Sequence, residues 1–132
     1  VSYIRLNMKE FCVNLNDEPG QLATVCEAIA LKGANILAGA GIGKAKPAIA
    51  LVTDDEEATA AALDELGISF EINELHITTL PNRPGGLAEF SRILGDAGVN
   101  LRSLFIMQME INSADIAFTV DDDEKAIEAL GL

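Results

Sequence analysis

The chain has no tryptophan, one tyrosine, a single histidine and only two cysteines. Two cysteines, Cys12 and Cys26, are too few for the disulfide framework that staples small secreted domains. Both are expected as reduced core residues of a cytoplasmic protein, Cys26 on an apolar helical stripe. His76 alone cannot fill every role in a Ser–His–Asp or Cys–His arrangement. With two cysteines distant in sequence it makes a poor metal set. No catalytic residue, no metal site and no cofactor is therefore expected. Basic residues are also scarce, 9 against 21 acidic ones, for a formal net charge of −12. That field repels phosphate backbones and anionic lipid, so neither nucleic acid nor a membrane surface is an expected partner. No apolar run reaches the length of a membrane span, and no signal peptide is expected before the first strand.

What is present is a hydrophobic fraction of 49% over 132 residues, enough for a packed core, and a repeat. An ungapped offset of 65 aligns Pro19-Gly20 with Pro84-Gly85 and Leu22-Ala23 with Leu87-Ala88. It also aligns Gly33-Ala34-Asn35-Ile36 with Gly98-Val99-Asn100-Leu101. After two extra residues in the second copy, Ile49-Ala50-Leu51 meets Ile116-Ala117-Phe118. Asp54-Asp55-Glu56-Glu57 then meets Asp121-Asp122-Asp123-Glu124. Two copies are too few for a solenoid, so the duplication predicts a pair of small domains.

Each copy follows one pattern. Strands at 11–15 and 75–80 lead into a Pro-Gly turn. Leu22, Val25, Cys26 and Ile29 then recur at i, i+3, i+4, i+7, as do Leu87, Phe90, Ser91 and Leu94, which predicts an amphipathic helix. Gly33 and Gly98 suit the helix stop. Strands follow at 35–42 and 48–53 in the first copy, and at 99–109 and 114–120 in the second. The acidic clusters then open helices at 58–66 and 126–130, where carboxylates cap free N–H groups. They lack the ligand spacing of a calcium loop. The predicted class is α+β, two ferredoxin-like βαββαβ domains with antiparallel sheets and helices on one face. Residues 68–72 supply the fourth strand of the first copy. For the second copy, residues 1–4 resemble residues 68–71. Either the N-terminal strand completes the second domain, or each such strand forms a hairpin with the strand after it, splitting the halves near residue 66.

The stretch from Gly39 to Lys44 fails the phosphate-loop pattern, because Ala38 and Ala45 stand where a glycine and a hydroxyl are needed. Its glycines at 39, 41 and 43 share one face of a strand, where a partner can approach closely. Chemistry is expected at the repeated Pro-Gly turn instead. Backbone N–H groups at a helix start, with proline in the first turn and little side chain in the way, attract a carboxylate. The polar residue ahead of it, Asp17 or Asn82, either caps the helix or meets a ligand. Asp17 suits an ammonium group, and Asn82 suits either end of a zwitterion.

Asn82-Arg83-Pro84-Gly85-Gly86-Leu87-Ala88 with Ala97-Gly98-Val99-Asn100-Leu101 resembles the signature of the ACT domain. Asp17-Glu18-Pro19-Gly20-Gln21-Leu22-Ala23 with Gly33-Ala34-Asn35-Ile36 resembles a second one. The resemblance implies a tandem similar to the regulatory ACT pair of aspartokinases, without a kinase domain. The first domain would span 7–72 and the second 73–132, completed by the strand 1–6. It further implies ligand-binding residues Asn82, Arg83, Pro84, Gly85, Gly86, Leu87 and Asn100, with Asp17, Pro19, Gly20, Gln21 and Asn35 in the first copy. Asn82 and Asn100 match the two asparagines of serine-responsive ACT domains. Leu80 replaces that family's histidine, Leu15 does so in the first copy, and the charge of Glu18 opposes a ligand carboxylate. The implied function is a stand-alone regulatory sensor that binds an amino acid where ACT domains meet, without catalysis. The alternative is a detached regulatory subunit of an amino-acid biosynthetic enzyme with a vestigial ligand site. A paired sheet edge and the glycine face point to a homodimer.

Overall fold

The computed structural model describes residues 8–131 and the backbone of residues 2–4. The chain divides into two compact units. A split unit joins Val1–Met8 to Glu74–Leu132, and a continuous unit comprises Lys9–Asn73.

In the continuous unit the elements are β2 (Lys9–Asn14), α1 (Gln21–Leu31), β3 (Ile36–Ile42), β4 (Ala48–Thr53), α2 (Glu56–Leu66) and β5 (Phe70–Glu74). The sheet order is β3-β4-β2-β5. The split unit begins with β1 (Ser2–Ile4). It continues with β6 (His76–Pro81), α3 (Gly86–Asp96), β7 (Leu101–Met109), β8 (Ser113–Val120) and α4 (Asp123–Ala129). Its order is β1-β6-β8-β7, so β1 stands beside β6 where β5 stands beside β2. β1 pairs antiparallel with β6, Tyr3 opposite Thr78. Of the expected strand 1–6, residues 1, 5 and 6 lie outside the described residues. The α+β class with antiparallel βαββαβ sheets, derived from the repeat, is the observed one.

Each unit has its own core. Phe11, Val13 and Leu51 from the sheet meet Val25 and Ile29 of α1 and Leu63 of α2. Leu80, Ile116 and Phe118 meet Phe90 and Leu94 of α3 and Ala126 of α4. α1 and α3 both end in the same hydrogen-bonded stop. Gly33 N–H reaches Ala30 O and Ala34 N–H reaches Ile29 O. Gly98 N–H reaches Gly95 O and Val99 N–H reaches Leu94 O. This paired pattern satisfies the last carbonyls of a helix.

Two helices start earlier than the apolar spacing predicts. Asp55 and Asp122 accept the backbone N–H of Ala58 and Lys125, at 3.0 and 3.1 Å, so the acidic residues after them belong to the first helical turn. Both cysteines are free, as expected, but only half-buried where core positions were expected. Phe11 and Val13 take the inward face of β2, so alternation turns Cys12 to the other side. Cys26 sits at the margin of the stripe formed by Val25 and Ile29. Burial still raises both thiol pKa values, reinforced at Cys12 by the negative charges of Glu10 and Glu71 and at Cys26 by Glu27. A raised pKa leaves less thiolate at a given pH. Iodoacetamide should therefore label both cysteines more slowly in the native protein than in urea at pH 8. The native rate should keep climbing at pH values where the unfolded chain has levelled off; equal profiles would contradict this.

Candidate functional site

The two Pro-Gly turns share one geometry. Gly86 N–H donates to Arg83 O at 3.1 Å, and Gln21 N–H to Glu18 O at 3.4 Å. Gly85 has φ 91° and ψ −11°, and Gly20 has φ 83° and ψ −4°. These are type II turns, proline second and glycine third, because only glycine takes that positive φ cheaply. Gly20 and Gly85 are the residues at the helix N-cap, and neither helix start has a side-chain cap. This corrects two expectations. Asp17 and Asn82 are not N-caps, and the prolines precede the helices instead of opening them. The type II turn lies between, holding both polar residues three positions short of the cap.

Beyond the turn the copies diverge. Gly86 is buried, and a Cβ built on it would overlap Pro81 O. Gln21, its counterpart, instead sends its Oε1 back to accept Asn16 N–H at 3.0 Å. Asn82 donates from Nδ2 to Glu110 O at 2.8 Å and to Ile111 O at 3.5 Å. Its backbone N–H donates to Asn112 O at 3.0 Å. Asn82 thus fastens the turn to the tip of the β7–β8 hairpin. Arg83 folds over the turn, its Nη2 at 3.1 Å from both carboxylate oxygens of Glu89. Leu87 and Leu22, expected on the buried stripe, are 48% and 45% exposed beside their turns. Leu22 helps line an apolar hollow of about 390 Å³ with Leu15, Ile42, Pro47 and Ile49.

Asn35 and Asn100 each follow the stop of a helix and stand directly ahead of a strand. Asp54 and Asp121 clamp them in the same way. Asn35 N–H meets Asp54 Oδ1 at 2.7 Å, and Asn100 N–H meets Asp121 Oδ1 at 2.9 Å. The return bonds run from Asp54 N–H to Asn35 O and from Asp121 N–H to Asn100 O, 3.1 Å each. Sequence reasoning missed these clamps, although the Asn–Asp pairing recurs in both copies. Asn82 and Asn100 are both exposed, at opposite ends of α3. A helix of that length measures about 16 Å. The same holds for Asp17 and Asn35 around α1. One unit therefore does not bring its own pair together. Leu80, at the position of the family histidine, is buried and 4% exposed.

His76 is also buried, its Nε2 2.6 Å from Asp123 Oδ1 and its ring 5.3 Å from that of Phe118. It ties the start of α4 to β6, a structural role. Among the described residues no group of three His, Cys, Asp or Glu side chains is placed to hold a metal ion. No helix among them is long and apolar enough to cross a membrane.

The two turns, the clamps and the strand order repeat one βαββαβ plan, and the second copy has a family match. Residues 77–130 match the ACT domain. The matched segment holds the Asn82 turn, α3, the Asn100 clamp and the whole of α4. Among curated proteins none matches significantly. Among solved structures, protein BT0572 from Bacteroides thetaiotaomicron is similar over 94% of this chain and 87% of its own, at 24% identity and a TM-score of 0.79. The regulatory subunit of aspartate kinase from Thermus flavus is similar over 98% and 93%, at 17% identity and a TM-score of 0.73. That from Thermus thermophilus, in its ligand-free form, is similar over the same shares at 14% identity and a TM-score of 0.69. At these identities the likeness is one of fold, and it extends over both units.

Proposed function

We propose that the chain is a tandem of ACT domains, 7–72 and 73–132 with strand 1–6 completing the second, that acts as a regulatory sensor of an amino acid and has no catalysis of its own. The observation that carries this reading is the placement of Asn82 and Asn100. Both are exposed within the segment that matches the ACT domain, yet a whole helix separates them. An amino-acid residue spans at most about 3.6 Å. A ligand held by both asparagines must therefore take them from two domains, such as those of two chains paired about a twofold axis. The remaining turn residues Arg83, Pro84, Gly85, Gly86 and Leu87, and Asp17, Pro19, Gly20, Gln21 and Asn35 in the other copy, complete the proposed contacts. Gly86 N–H is already spent on the turn, so a ligand carboxylate would draw on the remaining uncapped donors. The proposed setting is the cytoplasm.

A screen of the twenty amino acids by thermal shift tests this. A ligand at about 100 times its Kd should stabilise the protein by roughly 2.7 kcal/mol. Asn82→Ala and Asn100→Ala should each remove most of that shift. Mixing the two variants should restore binding at about one site in four, since half the pairs are mixed and each rebuilds one site. If no amino acid at millimolar concentration raises the melting temperature, the sensor reading falls. A second reading, a detached subunit that regulates an amino-acid biosynthetic enzyme through a vestigial site, would then lead. It is favoured by the similar structures that are separate regulatory subunits of aspartate kinase.

A further inference from the structure

We propose that the outer side of α1 and α2 in the continuous unit is a docking surface for a basic amphipathic helix of a partner protein. This surface is separate from the Pro-Gly turns. It centres on the C-terminal end of α1, a helix length of about 16 Å from the turn that opens that helix. A helix that packs by one face normally carries charge on the other. α3 does so, with Glu89, Arg92 and Asp96 exposed along its outer side. The offset of 65 puts Thr24, Glu27 and Leu31 at the matching places of α1, and all three are exposed. Glu27 is the single charged residue in α1. Ala23 and Ala30 are exposed beside it. Leu31 is 88% exposed where its counterpart Asp96 pairs with Arg92 at 3.7 Å. One copy keeps a solvated outer face, and the other has exchanged it for an apolar one.

The apolar face also has a shape. Ala28 and Leu31 of α1 and Ala62 and Leu66 of α2 line a hollow of about 450 Å³. A groove between two helices is where an amphipathic helix lays its apolar side. Charge decides the occupant. Lys32, the one cation lining the hollow, is paired with Glu65 at 2.6 Å. Glu27 is exposed, and among the described residues no ion pair reaches it. Two copies joined through this face would cover two Glu27 carboxylates and supply no free cation to answer them. The net charge of −12 repels anionic lipid. A helix with an apolar face and Lys or Arg at its margins meets both the hollow and the charge.

The test uses the full chain and a fluorescein-labelled peptide with leucine on one helical face and lysine on the other. A length of about 14 residues covers α1 at ~1.5 Å per residue. The wild type should bind this peptide, and the same peptide with glutamate for lysine at least about tenfold more weakly. The variant Thr24→Glu/Glu27→Arg/Leu31→Asp gives α1 the outer residues of α3. Its two added acids and one reversed charge cancel, so the net charge stays −12. It should lose at least about tenfold in affinity for the lysine peptide. Leu31→Asp alone adds an acid and should still weaken binding at least about threefold, the opposite of what charge attraction by itself predicts. That variant carries the test should the triple one unfold. Bound peptide should slow hydrogen exchange at residues 24–32 and 62–66. No binding by the wild type, equal affinity of the glutamate peptide or of either variant, or protection that falls elsewhere overturns the proposal. So does a wild-type dimer that the triple variant dissociates in sedimentation, which would make a second copy the occupant. None of these outcomes bears on the amino-acid reading, whose thermal shift is read without the peptide.

Discussion

Phe118→Ala should lower the stability of the split unit by about 3–5 kcal/mol, measured as a shift in its urea midpoint at unchanged slope. Phe118 is fully buried on β8, the strand flanked by β6 and β7. Its ring meets Phe90 of α3 edge-on, with centroids 5.0 Å apart and planes at 72°, and lies 5.3 Å from the His76 ring. One side chain therefore joins the sheet, α3 and the histidine that holds α4. Truncation removes the transfer energy of a large ring and leaves a cavity that three rigid neighbours cannot close. Whole domains are stable by only about 5–15 kcal/mol, so this unit should be left near the edge of folding. Leu51 takes the corresponding place in the continuous unit and is 2% exposed. Leu51→Ala should cost somewhat less, about 2–5 kcal/mol, because a smaller side chain is lost. A loss below 1 kcal/mol at Phe118 would mean that the core does not depend on this contact.

The fold was largely legible because it is stated twice. A single apolar helix of eleven residues is weak evidence, but α1 and α3 share spacing, stop and following strand, and each copy supports the other. The caps at Asp55 and Asp122 followed from composition, since carboxylates at a helix start satisfy free N–H groups locally. What sequence reasoning placed wrongly was decided by parity or by distant partners. Cys12 looks like a core residue until strand alternation assigns the inward face to Phe11 and Val13. Pro-Gly ahead of an apolar run fits a helix start and a type II turn equally well, and only the Gly86 N–H to Arg83 O bond separates them. Asn82 shows the limit most clearly. Its residue type suggested a cap or a ligand contact, both local readings. Its amide partners are carbonyls 28 and 29 residues further on, in a hairpin tip that no local pattern links to it. The clamps of Asn35 by Asp54 and of Asn100 by Asp121 were visible in principle, as a polar pair kept in both copies. They were hidden because the acidic residues already had an explanation as helix openers.

Gly86→Ala should be the most damaging change in the candidate site itself, costing about 3 kcal/mol. Its Cβ would overlap the carbonyl oxygen of Pro81, a backbone atom at the end of β6 that has no side-chain freedom with which to yield. The neighbouring glycines supply graded controls. Gly85 sits at φ 91° with open space around its Cβ direction save for Arg83 Nη1 at 3.8 Å, so alanine there meets backbone strain of roughly 1–2 kcal/mol without a clash. Gly41 lies in an exposed strand where a Cβ would make ordinary contacts, Ala48 O at 3.6 Å being nearest, so alanine should be neutral or mildly stabilising there. The expected order of destabilisation is therefore Gly86, then Gly85, then Gly41. The consequence for the site is specific. Relief of the Gly86 clash moves the end of β6 away from α3, and Asn82 follows Pro81 directly. Its bonds to Glu110 and Asn112 should loosen, and hydrogen exchange at the hairpin tip should rise well beyond what Gly85→Ala produces. Should Gly86→Ala unfold too readily to examine, Asn82→Ala isolates the second half of the argument. It should raise exchange at residues 110–113 while costing only about 1 kcal/mol, the worth of an exposed hydrogen bond. If Gly86→Ala is as stable as Gly41→Ala, the close packing of α3 against the end of β6 is not what positions the turn.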